Sequence, residues 1–78
     1  MYERDATKIA TAYAHAHFAG EVVQLRALPG VELDDRDQDR AIWNVVFRSR
    51  TAPARDPRGE LWVVVDAVAK TARQFQRA

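Results

Sequence analysis

The chain has 78 residues, and twelve Lys and Arg against eleven Asp and Glu give it a net charge of +1. This balance provides no overall attraction to nucleic acid or to an anionic membrane, so a nucleic-acid partner is not expected. The sequence has no cysteine, which excludes disulfides and thiolate metal ligands. The length predicts a single domain, residues 1–78, and the lack of a signal-peptide pattern or of a run of about 20 apolar residues favours a cytoplasmic protein.

An amphipathic helix is predicted from residue 3 to about residue 18. Ile9 and Tyr13 recur at helical spacing among alanines, and alanine is the best helix former. Small alanine side chains also let a helix lie close against a sheet. Gly20 is expected to follow the end of the helix.

The helix carries both histidines of the chain, in the order His15-Ala16-His17. Two residues at positions i and i+2 of a helix lie about 200° apart, so these imidazoles cannot share one metal ion. Neither histidine is therefore expected to have a metal-binding or catalytic role.

A first strand is predicted over residues 21–28, at the edge of a sheet. Strict alternation places two sets of side chains on opposite faces: Val23, Leu25 and Ala27 on one, and Val22, Gln24, Arg26 and Leu28 on the other. The second set is partly polar, which is typical of an edge strand. Pro29-Gly30 predicts a turn at the end of this strand, with residues 31–33 extending the ladder briefly beyond it.

Residues 34–40 form a charged segment that partly matches a calcium-binding loop. Asp35, Asp37 and Asp39 occupy its first three acidic positions. Arg40 stands where that loop requires glycine, and Val46 stands where it requires a bidentate glutamate. The segment is therefore predicted to be a solvated turn.

Two long strands are predicted next, over residues 41–49 and 61–67, joined by a connection over residues 50–59 that contains two prolines. The second of these strands is the most apolar run in the chain and is apolar on both faces up to Asp66. Its pattern indicates a central strand.

The tail, residues 66–78, fits either a helix or a turn followed by a short strand. In the second interpretation, which is slightly favoured, Asp66 ends the strand by accepting hydrogen bonds from backbone N–H groups, and Phe75 returns to the core. The expected fold class is α+β, with one N-terminal helix packed on an antiparallel sheet of three to four strands.

The segments Ile42-Trp43-Asn44-Val45-Val46-Phe47 and Leu61-Trp62-Val63-Val64-Val65-Asp66-Ala67 resemble the strands of PepSY-like and cystatin-like α/β rolls. PepSY-like domains have a similar strand ending in Val-Asp-Ala, followed by a Thr-Gly turn where this chain has Ala69 and Lys70. Small nuclear-transport-factor-like immunity proteins have a similar Trp-x-Val strand. The resemblance implies a non-catalytic module that binds or inhibits another protein, often an enzyme.

One helix can cover only one face of the predicted sheet. The residues expected to meet the helix are Trp43, Val45, Phe47, Leu61, Val63 and Val65. The residues expected to form an apolar, partner-binding patch on the far face are Ile42, Val46, Trp62 and Val64. Such a patch usually marks an interface with another polypeptide.

The sequence therefore predicts a protein-interaction module without cofactors: an inhibitor, immunity or accessory protein whose partner is another protein, such as an enzyme or a toxin, or a second copy in a homodimer. A small enzyme subunit is the least favoured class, because no cluster of polar residues converges.

The alternative is an RNA-binding domain of α-β-β-β-α order, which requires the tail to be a helix. In that case the basic residues available for phosphate contacts are Arg48, Arg50, Arg55, Arg58, Arg73 and Arg77.

Overall fold

The structure, a computed structural model, describes residues 1–18, 21–50 and 60–75. The elements in chain order are α1 (Glu3–His17), β1 (Val22–Leu33), β2 (Asp39–Ser49), β3 (Glu60–Asp66) and β4 (Ala72–Gln74). The four strands form one sheet in the order β1-β2-β3-β4, and every neighbouring pair is antiparallel. The expected α+β class is confirmed, and the tail forms a turn and a short strand. Gly20 and most of the predicted 50–59 connection lie outside the described residues.

The helix packs on the sheet through a stripe of alanines. Ala6, Ala10 and Ala14 recur every four residues and are fully buried, because their small side chains allow close approach. The sheet side of this core is formed by Val45, Phe47, Val63 and Val65, with Trp43 and Leu61 packed against it. All six residues predicted to meet the helix are therefore confirmed on that face.

The predicted turn at Pro29-Gly30 is wrong, because β1 continues through both residues. Pro29 lies opposite Trp43, and Gly30 lies opposite Ile42. The Asp34 N–H donates to the Gln38 carbonyl, so the N–H of Asp34 points towards β2. Along an antiparallel strand, successive backbone N–H groups point alternately towards the neighbouring strand and away from it. Counting back from Asp34 places Pro29 where a backbone N–H points away from β2. An edge strand tolerates proline there, since no hydrogen bond of the ladder is lost.

The strict alternation predicted for β1 is also wrong, because the register shifts between Gln24 and Arg26. Leu25 is an extra residue in a bulge, and a bulge reverses the alternation of side chains. Val22 consequently lies on the helix side together with Ala27. Gln24 is on that side as well, where its Nε2 donates to the Thr7 hydroxyl at 3.5 Å.

Asp66 organises the turn between β3 and β4, as predicted. Its carboxylate accepts the N–H groups of Val68 at 2.8 Å and Ala69 at 2.9 Å, and its carbonyl accepts the Lys70 N–H. Lys70 has a φ of 58°, in the left-handed region that favours glycine. The turn thus forms with Lys70 in a backbone conformation that usually calls for glycine.

The short strand β4 is held from two sides. The Phe75 N–H donates to the Trp62 carbonyl, which fixes β4 against β3. On the helix side, the Gln74 N–H donates to the Tyr13 hydroxyl at 3.1 Å. Phe75 itself lies on the face opposite the helix and is 46% exposed, so its predicted return to the core is wrong.

The Asp66 turn makes the free energy of unfolding depend on pH in the acid range. The N–H groups of Ala69 and Val68 lower the pKa of the Asp66 carboxyl below its ordinary value of 3.8. A carboxyl group whose pKa is lower in the folded protein than in the unfolded chain stabilises the fold. This contribution is complete at a pH above the unfolded-state pKa and is lost as the pH falls through the folded-state pKa.

We therefore expect Asp66→Asn to lower the free energy of unfolding at neutral pH, with the difference from wild type shrinking below about pH 3.8. Urea unfolding of both proteins, followed by circular dichroism between neutral pH and about pH 2, measures this difference. The pKa of the Asp34 carboxyl is also lowered, by the N–H groups of Gln38 and Arg36, but Asp34 is present in both proteins and cancels. A difference that stays constant with pH contradicts the assignment.

Candidate functional site

The face of the sheet opposite α1, called the open face here, is the candidate site. Among the described residues, no helix or strand packs across it. Pairing across the strands arranges its side chains in rows. One row contains Arg26, Val46, Trp62 and Phe75; the next contains Leu28, Asn44, Val64 and Arg73; a third contains Gly30, Ile42 and Asp66.

The four predicted partner-binding residues all lie on the open face. Ile42, Val46 and Val64 are only 7%, 0% and 3% exposed, whereas Trp62 is half-buried. Three of the four therefore form the floor of the site rather than a broad exposed patch. Trp62 is the member of the set that a partner can contact most directly.

Trp62 is held in place by two charged neighbours. The Arg26 guanidinium lies 5.5 Å from the centroid of the indole ring, a cation–π contact. The indole N–H donates to the Glu60 carboxylate at 3.4 Å, and the same carboxylate lies 3.6 Å from Arg26. This three-residue contact orients the indole before any partner arrives.

An ion pair crosses the open face from one sheet edge to the other. Arg73 on β4 donates to the Glu32 carboxylate on β1, so the two side chains together span β2 and β3. Both side chains are partly exposed, and such a pair contributes about 0–1 kcal/mol to stability. Its main consequence is that it divides the open face and closes one end of the site.

A groove of about 430 Å³ lies on the Trp62 side of this ion pair. Its lining consists of Val31, Glu32, Ile42, Asn44, Trp62, Val64 and Phe75. The groove is thus aliphatic at its floor and aromatic on one wall, with two polar side chains. Binding sites are commonly built in this way, from apolar walls and a few polar groups.

Gly30 keeps the groove open. A Cβ at this position is placed 3.3 Å from the Asn44 Nδ2 atom and 3.6 Å from the Ile42 side chain. The backbone of Gly30 is outside the left-handed region, so the fold does not require glycine there for its conformation. A side chain here would crowd the Asn44 carboxamide, so the glycine leaves Asn44 room in its present position beside the groove.

Asn44 is the central polar group of the groove. Within the described part of the chain, its carboxamide makes no hydrogen bond. The polar atoms of this carboxamide remain accessible to solvent. It lies between Leu28 and Val64 in its row and between Ile42 and Val46 along β2. A free carboxamide surrounded by apolar side chains offers a donor and an acceptor to whatever enters the groove.

The charges that border the groove are compensated within the chain. Glu32 is paired with Arg73, and Arg26 is paired with Glu60. Arg40 and Asp66, at the far side of the open face, lie 3.3 Å apart. The groove therefore presents a nearly neutral surface.

The described basic residues of the RNA-binding alternative, Arg48, Arg50 and Arg73, are not brought together as a phosphate-binding surface. The final helix that this alternative requires is not formed, because residues 72–74 pair with β3 as a strand. Arg73 contacts Glu32, Arg50 lies 3.5 Å from Glu21, and Arg48 also has a partner. The other three lie outside the described residues: Arg55, Arg58 and Arg77.

The two histidines are exposed on α1, away from the open face, and the ring of His17 stacks on Tyr13 with a centroid distance of 4.2 Å. Among residues 1–18, 21–50 and 60–75, no three His, Asp or Glu side chains are grouped so that they could hold a metal ion. In the same ranges, no helix has the length and apolar character needed to cross a membrane.

Sequence reasoning did not include several residues that shape the groove: Gly30, Glu32, Asn44 and Phe75. Two of them had a readable signal. Asn44 is the polar exception between Ile42 and Val46 on one strand face, and a glycine inside a strand often marks a close approach by another group.

Comparison with known proteins adds no relative: no family model, no curated protein and no solved structure matches this chain.

Proposed function

We propose that this protein is a non-catalytic interaction module, of the kind found among inhibitors, immunity proteins and accessory proteins, that binds a segment of another protein on its open face. The observation that carries the proposal is the groove with its oriented indole. Trp62 is partly exposed, is fixed by Arg26 and Glu60, and lies beside an aliphatic floor. Rigid aromatic side chains next to buried aliphatic ones are the usual centres of protein–protein binding energy.

The size of the groove favours a segment as its occupant over a second folded domain. A stable interface between two folded proteins buries roughly 800 Å² on each side. On the open face, Ile42, Val46 and Val64 are already almost fully buried and have little area left to contribute. A groove of about 430 Å³ instead has room for a few side chains of an inserted segment.

The charge distribution favours an uncharged ligand at this position. Among the described residues, the neighbouring ion pairs leave the groove no free cation to hold a phosphate group and no free carboxylate to hold a basic side chain. A polypeptide segment with an apolar side chain matches this surface. The RNA-binding alternative is not proposed, because it depends on a terminal helix where the structure has β4.

The variant Gly30→Val tests the proposal by filling the groove. Valine suits a β-strand, and its side chain would crowd Asn44 and contact Ile42, two residues that line the groove. We expect random dodecapeptides displayed on phage to be enriched on the wild-type protein, and the enriched peptides to lose at least about tenfold in affinity for Gly30→Val. Affinity is measured with fluorescently labelled peptides on proteins whose thermal unfolding shows that they are folded.

The control is Val68→Ser, which removes an apolar side chain that is 81% exposed in the turn after β3, outside the groove. It should bind the enriched peptides like the wild type. Failure to enrich any peptide, or equal binding to wild type and Gly30→Val, contradicts the proposed function. The homodimer stays a prediction, and light scattering tests it separately.

A further inference from the structure

We infer that Asn44 recognises the backbone of an extended peptide in the groove, through one N–H and one C=O group of that peptide. This inference rests on the proposed function and specifies which part of the ligand Asn44 binds. The side chain of Asn44 is the one carboxamide in the lining of the groove, and none of the described residues uses its donor or its acceptor.

The chemistry of a carboxamide fits a peptide group. Its NH₂ donates and its carbonyl accepts, so it can satisfy a backbone C=O and a backbone N–H of the same extended residue. A peptide that enters an apolar groove must satisfy its backbone groups there, because each unpaired group costs free energy once water is removed. Asn44 lies where this requirement arises, between the apolar side chains of Ile42, Val46 and Val64.

The surroundings of Asn44 also define which side chain accompanies that backbone. Trp62 and Phe75 lie in the row next to Asn44, and the Phe75 N–H is bonded to the Trp62 carbonyl. The ligand residue beside the Asn44 carboxamide would therefore place an aliphatic or aromatic side chain against these two rings. Because the described lining of the groove carries no unpaired charge, that ligand residue is uncharged.

A nucleobase is the main competing ligand chemistry, since asparagine pairs with adenine through the same donor and acceptor. The structure favours the peptide for two reasons. One face of the Trp62 ring already faces the Arg26 guanidinium, and the two arginines nearest the groove, Arg26 and Arg73, are each paired with a carboxylate, so neither is free to hold a phosphate group. The aliphatic floor also matches a side chain better than a polar base edge.

The experiment combines Asn44→Leu with backbone methylation of the ligand. Leucine has the same branching at Cγ as asparagine, lacks the carboxamide and is larger, and its apolar side chain is compatible with the neighbouring Ile42 and Val46. A peptide enriched on the wild-type protein is synthesised as a series in which each backbone nitrogen in turn is methylated, which removes one N–H at a time. The affinities of the series are measured for wild type and for Asn44→Leu.

We expect one methylated position to bind the wild-type protein about tenfold more weakly than the parent peptide and to bind Asn44→Leu no more weakly than the parent does. This loss of sensitivity on the variant identifies the N–H that Asn44 accepts. The control is Gln24→Leu, which removes a carboxamide on the helix side of the sheet and should retain the full sensitivity of the wild type.

Three results overturn the inference. The first is an equal effect of methylation on wild type and Asn44→Leu while binding still depends on Gly30, which leaves the proposed function intact and removes only the role of Asn44. The second is binding of adenosine monophosphate that is lost in Asn44→Leu. The third is a dimer in light scattering that Asn44→Leu dissociates, which would assign the carboxamide to a contact between copies. If no peptide binds the wild type at all, the proposed function fails as well.

Discussion

Phe47→Ala is expected to remove a large part of the folding stability of the protein. Phe47 is 2% exposed and belongs to the core between α1 and the sheet. Truncating a buried phenylalanine costs about 3–5 kcal/mol, because apolar area is lost and a cavity remains. A chain of 78 residues has a total stability of roughly 4–12 kcal/mol at typical values per residue. The loss is therefore about a quarter of the total or more, and urea unfolding followed by circular dichroism measures it.

The matched control is Phe75→Ala, which removes the same side chain from the open face, where it is 46% exposed. We expect a cost of about 1 kcal/mol, because a partly exposed ring loses less buried area and leaves no closed cavity. If the two alanine variants were equally destabilised, the assignment of the core to the helix side of the sheet would be wrong.

The largest effect on binding is expected for Trp62→Ala. The indole is the oriented, partly exposed aromatic of the groove, and truncation of such a residue at the centre of an interface commonly costs 2 kcal/mol or more. This corresponds to a loss of roughly 30-fold in affinity for peptides enriched on the wild type. Fluorescence anisotropy of labelled peptides gives the affinities.

Trp43→Ala is the control for Trp62→Ala, since Trp43 lies on the opposite face and packs against the core beneath the helix. It should lower the free energy of unfolding and leave the affinity of the folded protein unchanged. The reverse pattern, with binding dependent on Trp43 and independent of Trp62, would move the interface to the other side of the sheet.

The main features of the fold were readable because they depend on periodicity within single segments. The alternation in β2 and β3 determines which side chains of the sheet meet the helix, and this prediction is confirmed. On α1, the predicted Ile9 and Tyr13 pack against the core only in part, and the fully buried residues are Ala6, Ala10 and Ala14. The confirmed role of Asp66 depends on a local contact as well, because its carboxylate accepts N–H groups only two and three residues further on.

The two wrong predictions for β1, the turn at Pro29-Gly30 and the strict alternation, have a different cause. Both depend on the position of β1 in the sheet and on its pairing with β2. Pro29 breaks a strand only where its missing N–H faces a partner, and at the edge of this sheet it faces away from β2. The bulge at Leu25 similarly depends on how β1 is aligned with β2, and the sequence of β1 alone does not determine that alignment.

The site could be predicted only in part for the same reason. Alternation placed Ile42, Val46, Trp62 and Val64 on one face, but the groove also depends on Glu32 and Arg73, which are 41 residues apart in the chain. The room for Asn44 beside the groove depends on Gly30 in the neighbouring strand. Contacts of this kind follow from the order and register of the strands, which the local pattern leaves open.

The most direct measurement of the central claim is a nuclear magnetic resonance titration of the ¹⁵N-labelled protein with a peptide enriched on it. The side-chain N–H signals of Asn44 and Trp62 report from inside the groove, and both should show the largest shifts and saturate together. The N–H signals of the exposed face of α1 should stay in place. Saturable binding that shifts signals of α1 or of the outer edge of β1, and leaves both side-chain signals unchanged, would contradict the assignment of the open face as the binding site.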